Sequence, residues 1–426
     1  FNDNTKRTFI NFDTSSISSG EEIKSVSIML YGKKLRGKST DMQMLLYQSP
    51  LTTYLDEETA SWNDITPGTF NFSDCIYDWS APYGSESEWI NSMARLEKNI
   101  DLVNNFLGTG NEDYAAAALE NVIDIYTNKD AGYPRTLDSA WRTPALLSTI
   151  FGLMDSEQMT PEVFCTLIKY AYQMLVYFDT STTPSVVNQI CAANVGFARL
   201  VVYFPEIHDA SYYERSRAKL DTTIGTKLVH ADGAYKEATT GYIHRVIEEV
   251  IEAVELYKKV GYTNLDEYKK TAHGLATFYA NCFFPDGELV PYGDGGRGTS
   301  FDKLYKFGEF FDDDMMLWQS HKSDVEEPSD YKSIIFPVKK TVIMRDGWNN
   351  DSLYAHITAE TGHSHGHPDD LHMDVYAYGR PLLIDAGNGG GYNPIMPAST
   401  VRTETYAHNT VEINDCTFDR CGTLGS

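Results

Sequence analysis

This sequence of 426 residues lacks several features that define common protein classes. It contains no uninterrupted run of about 18 apolar residues, so no segment is predicted to span a membrane. Basic residues are scarce, with 35 Lys and Arg against 60 Asp and Glu, and the resulting net charge of -25 argues against non-specific nucleic-acid binding. A polyanionic ligand would therefore need a local basic or hydrogen-bonding patch within an acidic surface.

Cysteine is also sparse. The six cysteines form no Cys-x-x-Cys pair, which makes zinc-ribbon and redox interpretations weak. The chain has no signal peptide, but it begins at Phe1 rather than Met, which is typical of a mature or trimmed product. Neither feature decides the cellular compartment.

The N-terminal stretch shows a β pattern. Short, partly alternating runs occur at 8–12, 26–31 and 42–47, and Gly and Ser separate them. Their order resembles small β-sandwich modules that accompany carbohydrate-active enzymes, some of which bind polysaccharide. We predict such a module over residues 1–85, either carbohydrate-binding or a plain spacer.

From about Glu88 the apolar residues repeat with a helical period. Between 243 and 257 one face is apolar and glutamates lie off it, and Gly261 follows as a stop signal. This pattern, joined by short polar loops, favours a helical toroid or an incomplete (α/α) barrel over 86–330. Similar patterns recur at 89–107, 113–127, 161–178, 188–204, 211–223 and 266–281.

Past about residue 330 the β pattern returns. Strands are predicted at 341–344, 353–357, 374–378, 382–384 and 410–413. Such a sheet would leave an open edge, so we expect this domain, 331–426, to be incomplete at Ser426. The predicted fold class is thus multidomain α+β: an N-terminal small β-sandwich, a central helical toroid and a truncated C-terminal antiparallel β-sandwich.

Histidine is concentrated in the segment 361–372, which holds four of the eleven histidines. His365 and His367 would lie on one side of an extended backbone, with a glycine between them that permits a tight turn. Asp385 and His408 follow on separate β segments. One His, one Asp and a second His can form a three-ligand metal site with the fourth position left to water. Any one of these residues alone is more simply a hydrogen-bonded surface group.

Three C-terminal motifs carry a family resemblance. They are His-Gly-His-Pro-Asp at 365–369, the segment 378–387, and Arg402 followed by Ala-His-Asn-Thr-Val at 407–411. In this order they resemble the heparinase II/III-like lyases, a superfamily that includes alginate, heparin, heparan and chondroitin lyases. The resemblance covers about 86–426.

The resemblance implies roles for the C-terminal residues. His365 is implied to be catalytic. His367, Asp385 and His408 are implied to hold a metal ion, often zinc, which in this family mostly braces the fold near the site.

The helical half resembles the family more weakly. Asn188 is similar to the family's asparagine, which helps to neutralise the uronate carboxylate, and Tyr242 is similar to its catalytic tyrosine. Some members have His after that asparagine, whereas Gln189 stands here. Many have His directly after the tyrosine, whereas here Ile243 intervenes and the histidine is His244.

A β-elimination on a uronic acid needs groups of this kind. Donors must hold the C6 carboxylate while the C5 proton leaves, and Asn188 with Gln189 or Arg402 could supply them. Tyr242 could act as base, acid or both, and His365 as a base for the opposite epimer or as the partner of Tyr242. By default, however, a tyrosine at a helix start packs or caps, and an asparagine there is an N-cap.

The pair Trp141-Arg142 allows two interpretations. It could supply an aromatic ring that stacks on a sugar and a guanidinium that binds a carboxylate. It could equally be a core tryptophan beside a surface arginine.

We predict from these patterns a secreted polysaccharide lyase that cuts a uronic-acid polymer, with alginate as first choice and a glycosaminoglycan of the heparin or chondroitin type as the alternative. A metal-dependent hydrolase is a second class, although no His-Glu-x-x-His motif is present. A non-catalytic polysaccharide-binding protein is a third.

Overall fold

The computed structural model describes residues 91–128, 135–181, 186–327, 333–360, 364–388 and 404–412. All of them belong to one compact unit, residues 75–426. The N-terminal module predicted over 1–85 lies outside the described residues, and the division at 330/331 stays a prediction. Among the described residues, no helix combines the length and apolar character that a membrane crossing requires.

Ten α-helices lie between Glu97 and Gln319 in the part of the chain that the structure describes. They are α1 (Glu97–Thr109), α2 (Glu112–Asn128), α3 (Thr136–Gly152), α4 (Pro161–Thr180), α5 (Val187–Tyr203), α6 (Ser211–Thr226), α7 (Ile243–Lys259), α8 (Asp266–Asn281), α9 (Phe301–Phe311) and α10 (Asp314–Gln319).

Local sequence explains several of these helices. Helix α4 begins where the Thr160 side chain accepts a hydrogen bond from Val163 N and Pro161 takes the first helical position. Helix α7 buries one apolar stripe and ends with two lysines, which suit the negative end of its dipole. The seven helices predicted from periodicity are present, whereas α3, α9 and α10 were not predicted.

The helices pack into two hydrophobic cores that share α5. One core joins residues of α1 to α5, and the other joins α5 to α10 with the inner face of the sheet. Neighbours in the chain tend to be neighbours in space, as in the pairs α1 with α2 and α7 with α8, while α5 also packs on α3. The molecule is therefore mostly helical, and its sheet rests on the second helical half.

The C-terminal sheet is antiparallel, with five strands in the order of the sequence. They are β1 (Ile334–Phe336), β2 (Thr341–Arg345), β3 (Tyr354–Thr358), β4 (His372–Ala377) and β5 (Arg380–Leu383). Side chains alternate across a strand, so Ile343, Tyr354 and Tyr376 point into the second core, which joins α5 to α10 with the sheet. Four of the five predicted strands are present. The fifth, 410–413, is wrong for residues 410–412, which form no strand, and residue 413 lies outside the described residues.

One buried lysine ties the sheet to the helical part. Lys339, in the β1–β2 turn, donates from Nζ to the Glu237 carbonyl at 2.6 Å and pairs with the buried Glu360 carboxylate. In the same turn, the amides of Val338 and Lys339 donate to Asp232 Oδ2 at 2.8 and 3.0 Å. The segment 232–237 is thereby held against the sheet just before Tyr242.

Candidate active site

Two predicted catalytic residues meet at the start of α7. Tyr242 is the N-cap of α7, and its ring centroid lies 4.3 Å from that of His365. The histidine comes from the loop between β3 and β4, where its φ of 62° places it in the left-handed region that few non-glycine residues adopt. Tertiary packing must hold this conformation, and such strain is often kept at functional sites.

The loop at 291–295 supplies that packing. Gly293 has a φ of 58°, and a Cβ there would lie 2.0 Å from the Ala238 carbonyl and 2.7 Å from that of His365. Only glycine fits this close approach of three backbone segments. Asp294 then donates from its amide to the His365 carbonyl at 2.9 Å. The loop therefore brings the segment before Tyr242 and the histidine loop together.

Asp294 also bridges both histidines of the His-Gly-His motif. Its Oδ2 lies 3.2 Å from His365 Nδ1, and its Oδ1 lies 3.1 Å from His367 Nε2. A carboxylate accepts hydrogen bonds, so it fixes the tautomer with the proton on His365 Nδ1 and leaves Nε2 for chemistry. Sequence reasoning missed Asp294.

Glu237 connects the third predicted catalytic residue to this pair. Its Oε1 accepts from Asn188 N at 3.2 Å, and its Oε2 accepts from the Tyr235 hydroxyl at 2.6 Å and lies 4.0 Å from His365 Nε2. Burial raises the pKa of Glu237, while His365 opposes that shift. Glu237 was also missed, and its side chain is 1% exposed.

The Asn188 side chain is available to bind a ligand. It is 4% exposed, its Oδ1 is buried without a hydrogen-bond partner, and its Nδ2 bonds to no other described residue. Asn188 occupies the first turn of α5, but it does not cap that helix, whose N-cap is Val186. Its side-chain amide is thus an unused donor, on a residue whose backbone N–H bonds to Glu237.

A second cluster lies beside the His-Gly-His motif. Four buried residues place one potential ligand atom each within 4.8 Å of one another: Asp369, His372, Asp385 and His408. Both oxygens of Asp369 are buried without a hydrogen-bond partner, and burial raises the pKa of this carboxyl to about 6. Unpaired buried carboxylate oxygens beside two imidazoles fit a divalent cation.

A buried carboxylate orients this cluster. Asp374 accepts from His372 Nε2 at 3.0 Å and from the Asp385 amide at 3.0 Å, so His372 presents Nδ1 to the other ligands. Burial raises the pKa of Asp374, but its bonds to His356 and His372 outweigh burial and hold that pKa well below the usual range. Such carboxylate–histidine pairs commonly support metal ligands.

The structure brings together two of the three predicted metal ligands. Asp385 Oδ2 and His408 Nδ1 lie 2.7 Å apart. His367 bonds to Asp294 instead, and its ring lies 5.2 Å from the ring of His408. The cluster gains Asp369 and His372, which the sequence interpretation did not include.

The predicted substrate-binding residues are dispersed. Gln189 is partly buried beside Asn188, and its side chain bonds to no described residue. Burial and the nearby Lys303 and Arg245 lower the pKa of His244 to about 3, and the His244 ring contacts Tyr279. Arg402 lies outside the described residues.

Trp141 and Arg142 have different surroundings. Arg142 is fully buried and donates to the Ala94 carbonyl and the Tyr170 hydroxyl, so it is not placed to bind a carboxylate of a substrate. Trp141 is partly exposed, and its indole nitrogen donates to Glu249 Oε1 at 3.1 Å. The alternative of a core tryptophan beside a surface arginine is therefore also wrong, because Arg142 is the buried residue and Trp141 is partly exposed.

Two family models match this chain. The family model described as Heparinase II/III N-terminus matches residues 54–318, and the model described as Heparinase II/III-like, C-terminal matches residues 353–420. The chain belongs to the heparinase II/III family. No curated protein matches this chain at a significant level.

Solved structures show the same fold. A structure titled Heparinase III-BT4657 gene product has a TM-score of 0.64 and 19% identity, with 82% of this chain and 59% of that chain covered. The heparan sulfate lyase HepC from Pedobacter heparinus has a TM-score of 0.61 and 18% identity, covering 82% and 57%. A third structure, titled Heparinase III, has a TM-score of 0.70 and 17% identity, covering 80% and 57%.

These comparisons limit what can be transferred. This heparinase II/III family member spans less than two thirds of the length of the solved chains it matches. The resemblance to the family is confirmed, whereas the alginate-lyase branch receives no support from these neighbours, which are heparinases and a heparan sulfate lyase by title.

Proposed function

We propose that this chain is a polysaccharide lyase that cleaves a uronic-acid-containing glycosaminoglycan by β-elimination. The observation that carries the proposal is the contact between the Tyr242 and His365 rings, with Glu237 linking His365 to the backbone of Asn188. Family membership and the heparinase titles of the structural neighbours favour a heparan-type polymer over alginate, our first choice from sequence.

The three groups divide the reaction between them. Asn188 Nδ2 donates to the C6 carboxylate and stabilises the charge that develops as C5 loses its proton. Tyr242 or His365 Nε2 removes that proton, the C4–O4 bond breaks, and a C4=C5 double bond forms. The phenol of Tyr242 returns a proton to the departing O4. Asp294 and Glu237 keep the imidazole in place and in the correct tautomer.

The histidine and aspartate cluster suits a bracing metal ion. The four candidate ligands, Asp369, His372, Asp385 and His408, are all buried and can complete a tetrahedral set. When bound, a divalent ion such as zinc would supply positive charge that neutralises these carboxylates. A closed set of protein ligands favours a structural role over activation of water, so we prefer the lyase to the metal-dependent hydrolase.

The finer architecture belongs to the same proposal. We propose that the helical part is a toroid, that residues 1–85 form a β-sandwich module, either carbohydrate-binding or a spacer, and that the C-terminal sheet is one layer of a β-sandwich. The exposed face of the sheet supports the last point, because its two cross-strand rows are apolar: Ile335, Val342, Ile357 and Met373, and Met344, Ala355, Val375 and Leu383. Action on an extracellular polymer would require secretion.

A product screen tests the function. Heparan sulfate, unsulfated heparan precursor, chondroitin, hyaluronan and alginate should be incubated with the protein, and ultraviolet absorbance should rise with a glycosaminoglycan because the new double bond conjugates with the carboxylate. Tyr242→Phe should abolish that rise while keeping the thermal transition. A reducing end without ultraviolet absorbance would indicate hydrolysis, and binding without product in both proteins would indicate a non-catalytic binding protein.

A further inference from the structure

A cavity of about 400 Å³ lies among helices α1, α3, α5 and α7, and the proposed chemistry does not use it. Its volume falls in the range of small-molecule sites. Four lining residues offer apolar surface: Ile100, Trp141, Pro144 and Ala145. Six others are charged: Glu97, Arg199, Arg245, Glu248, Glu249 and Glu252. The cavity therefore combines an aromatic wall with donors and acceptors of both signs.

Two arginines line this cavity, and Arg245 is the one whose guanidinium N–H groups are available to bind a ligand. Its guanidinium carbon lies 4.6 Å from the centroid of the Trp141 ring, and it forms no hydrogen bond or ion pair with any described residue. Arg199, in contrast, is bound to both Glu252 oxygens at 2.6 Å. Stacking on an indole pre-orders a guanidinium and leaves its N–H edge open.

Glu249 offers a complementary group in the same cavity. One of its oxygens accepts from Trp141 Nε1, the other, Oε2, is buried, and the thiol of Cys191, a weak donor, also interacts with this carboxyl. Burial raises the pKa of Glu249 to about 7, so its carboxyl can accept or donate a hydrogen bond near neutral pH. Glu248 is already paired with Lys303 at 3.3 Å. A sugar hydroxyl would be a stronger donor to the Glu249 carboxyl than the Cys191 thiol.

The cavity adjoins the proposed active site. Arg245 follows Tyr242 by three residues, which is a rise of about 4.5 Å along α7. On α5, the buried thiol of Cys191 stands one turn after Asn188, and burial raises its pKa, with Glu249 and Glu237 adding to the shift. Cys191 thus interacts both with a carboxylate that lines the cavity and with Glu237, the carboxylate near His365. Uronate alternates with hexosamine in a glycosaminoglycan, so the uronate assigned to this cavity is two residues along the polymer from the one at Tyr242.

We infer that this cavity is a second sugar subsite, in which Arg245 binds the carboxylate of a uronate residue and Glu249 binds a ring hydroxyl. The inference rests on the proposed function, since it assigns a second uronate of the same polymer. A planar carboxylate matches the edge of a guanidinium with two parallel hydrogen bonds. With one open cation among four glutamates, the subsite accepts a single anionic group and disfavours a residue that also carries sulfate.

Binding measurements in an inactive background test the subsite. In Tyr242→Phe protein, an unsulfated tetrasaccharide of glucuronate and N-acetylglucosamine should be titrated by calorimetry, together with its carboxyl-reduced form. Adding Arg245→Gln should weaken binding of the acid form about tenfold or more and leave the reduced form unchanged, whereas Arg245→Lys should fall between. Arg215→Gln is the matched control, because Arg215 lies on α6 and pairs with Asp179.

The outcomes separate the subsite from the lyase. Equal affinity of the acid form with and without Arg245, or equal loss for both sugar forms, would overturn the subsite. If the unsubstituted protein yields ultraviolet-absorbing product and Arg245 has no effect on binding, only the subsite fails. If no polymer yields product but tetrasaccharide binding depends on Arg245, the subsite stands and the proposed lyase function fails. Ala145→Leu should fill the cavity and weaken the binding of both the acid form and the reduced form of the sugar.

Discussion

Asp294 and His365 are joined at two points: the Asp294 carboxylate lies 3.2 Å from His365 Nδ1, and the Asp294 amide donates to the His365 carbonyl at 2.9 Å. The backbone bond holds a histidine with a φ of 62°, and the side-chain bond sets its tautomer. One residue therefore controls both the position and the tautomer of the imidazole that contacts Tyr242.

Asp294→Asn should lower kcat strongly with little change in KM. The amide keeps the shape and the backbone bond but no longer stabilises an imidazolium, so we expect kcat to fall by roughly 10² to 10⁴. Steady-state kinetics by ultraviolet absorbance measure it. Asp313→Asn is the control, because Asp313 also pairs with a histidine, His273, at 2.8 Å on another loop. Equal kcat in both variants would show that the Asp294 pair has no role in the reaction.

Gly293→Ala should damage both stability and activity. The new Cβ would collide with the Ala238 and His365 carbonyls in a backbone region that L residues avoid, at a cost of about 1–3 kcal/mol or more. Thermal denaturation and kcat should both fall. Gly296→Ala on the same loop should change neither, because its Cβ would meet no atom within 4 Å. If Gly293→Ala behaved like Gly296→Ala, the close packing of this loop would be refuted.

Periodicity predicts the helices that carry an apolar stripe. Helix α7 is the clearest example, with one buried face and glutamates off it. Periodicity does not predict helix α3, because this helix is buried on several sides. Its buried residues include Ser139, Thr143 and Thr149, and Pro144 lies in its interior. A helix without a polar face, interrupted by proline, gives no sequence signal of period 3.6.

Motifs predict the active-site residues that stand in dense local patterns. His365 and Tyr242 could be named because short motifs surround them. Asp294 could not, because it lies 71 residues before His365 in a loop and reaches it only through tertiary packing at Gly293. Glu237 was one carboxylate among 60 acidic residues, and only its burial distinguishes it.

Removing a ligand of the buried cluster should release metal and lower stability. Asp385→Asn should reduce the bound metal measured by elemental analysis and lower the thermal transition, because the ion would lose one of its two carboxylate ligands and the buried Asp369 would lose the positive charge of the ion. Asp374→Asn should weaken metal affinity by about 10- to 100-fold, since it orients His372. A chelator should destabilise the unsubstituted protein and have little effect on Asp385→Asn.

Two single variants separate the ligand sets. His372→Gln should lose metal, whereas His367→Gln should retain it, because in the structure His367 bonds to Asp294 and is not one of the four clustered ligands. The reverse result would mean that the bound ion takes His367 in place of His372, as the family resemblance implies.

Glu249→Gln should flatten the dependence of stability on pH. Burial raises the Glu249 pKa from 4.5 to about 7, so the native state holds the proton more tightly than the unfolded chain. The free energy of unfolding therefore falls as pH rises from about 4.5 to about 7 and stays lower above it. The glutamine side chain of the variant would keep the bond from Trp141 without this loss, a relative gain of about 1–2 kcal/mol at pH 8 after allowing for partial exposure.

Denaturant unfolding at pH 5 and pH 8 measures the gain from Glu249→Gln. The exposed Glu255 on the same helix provides the control Glu255→Gln, which should shift the free energy of unfolding equally at both pH values. Because the titration of Glu249 is the only source of the expected difference, parallel pH dependences for Glu249→Gln and the unsubstituted protein would contradict a raised Glu249 pKa.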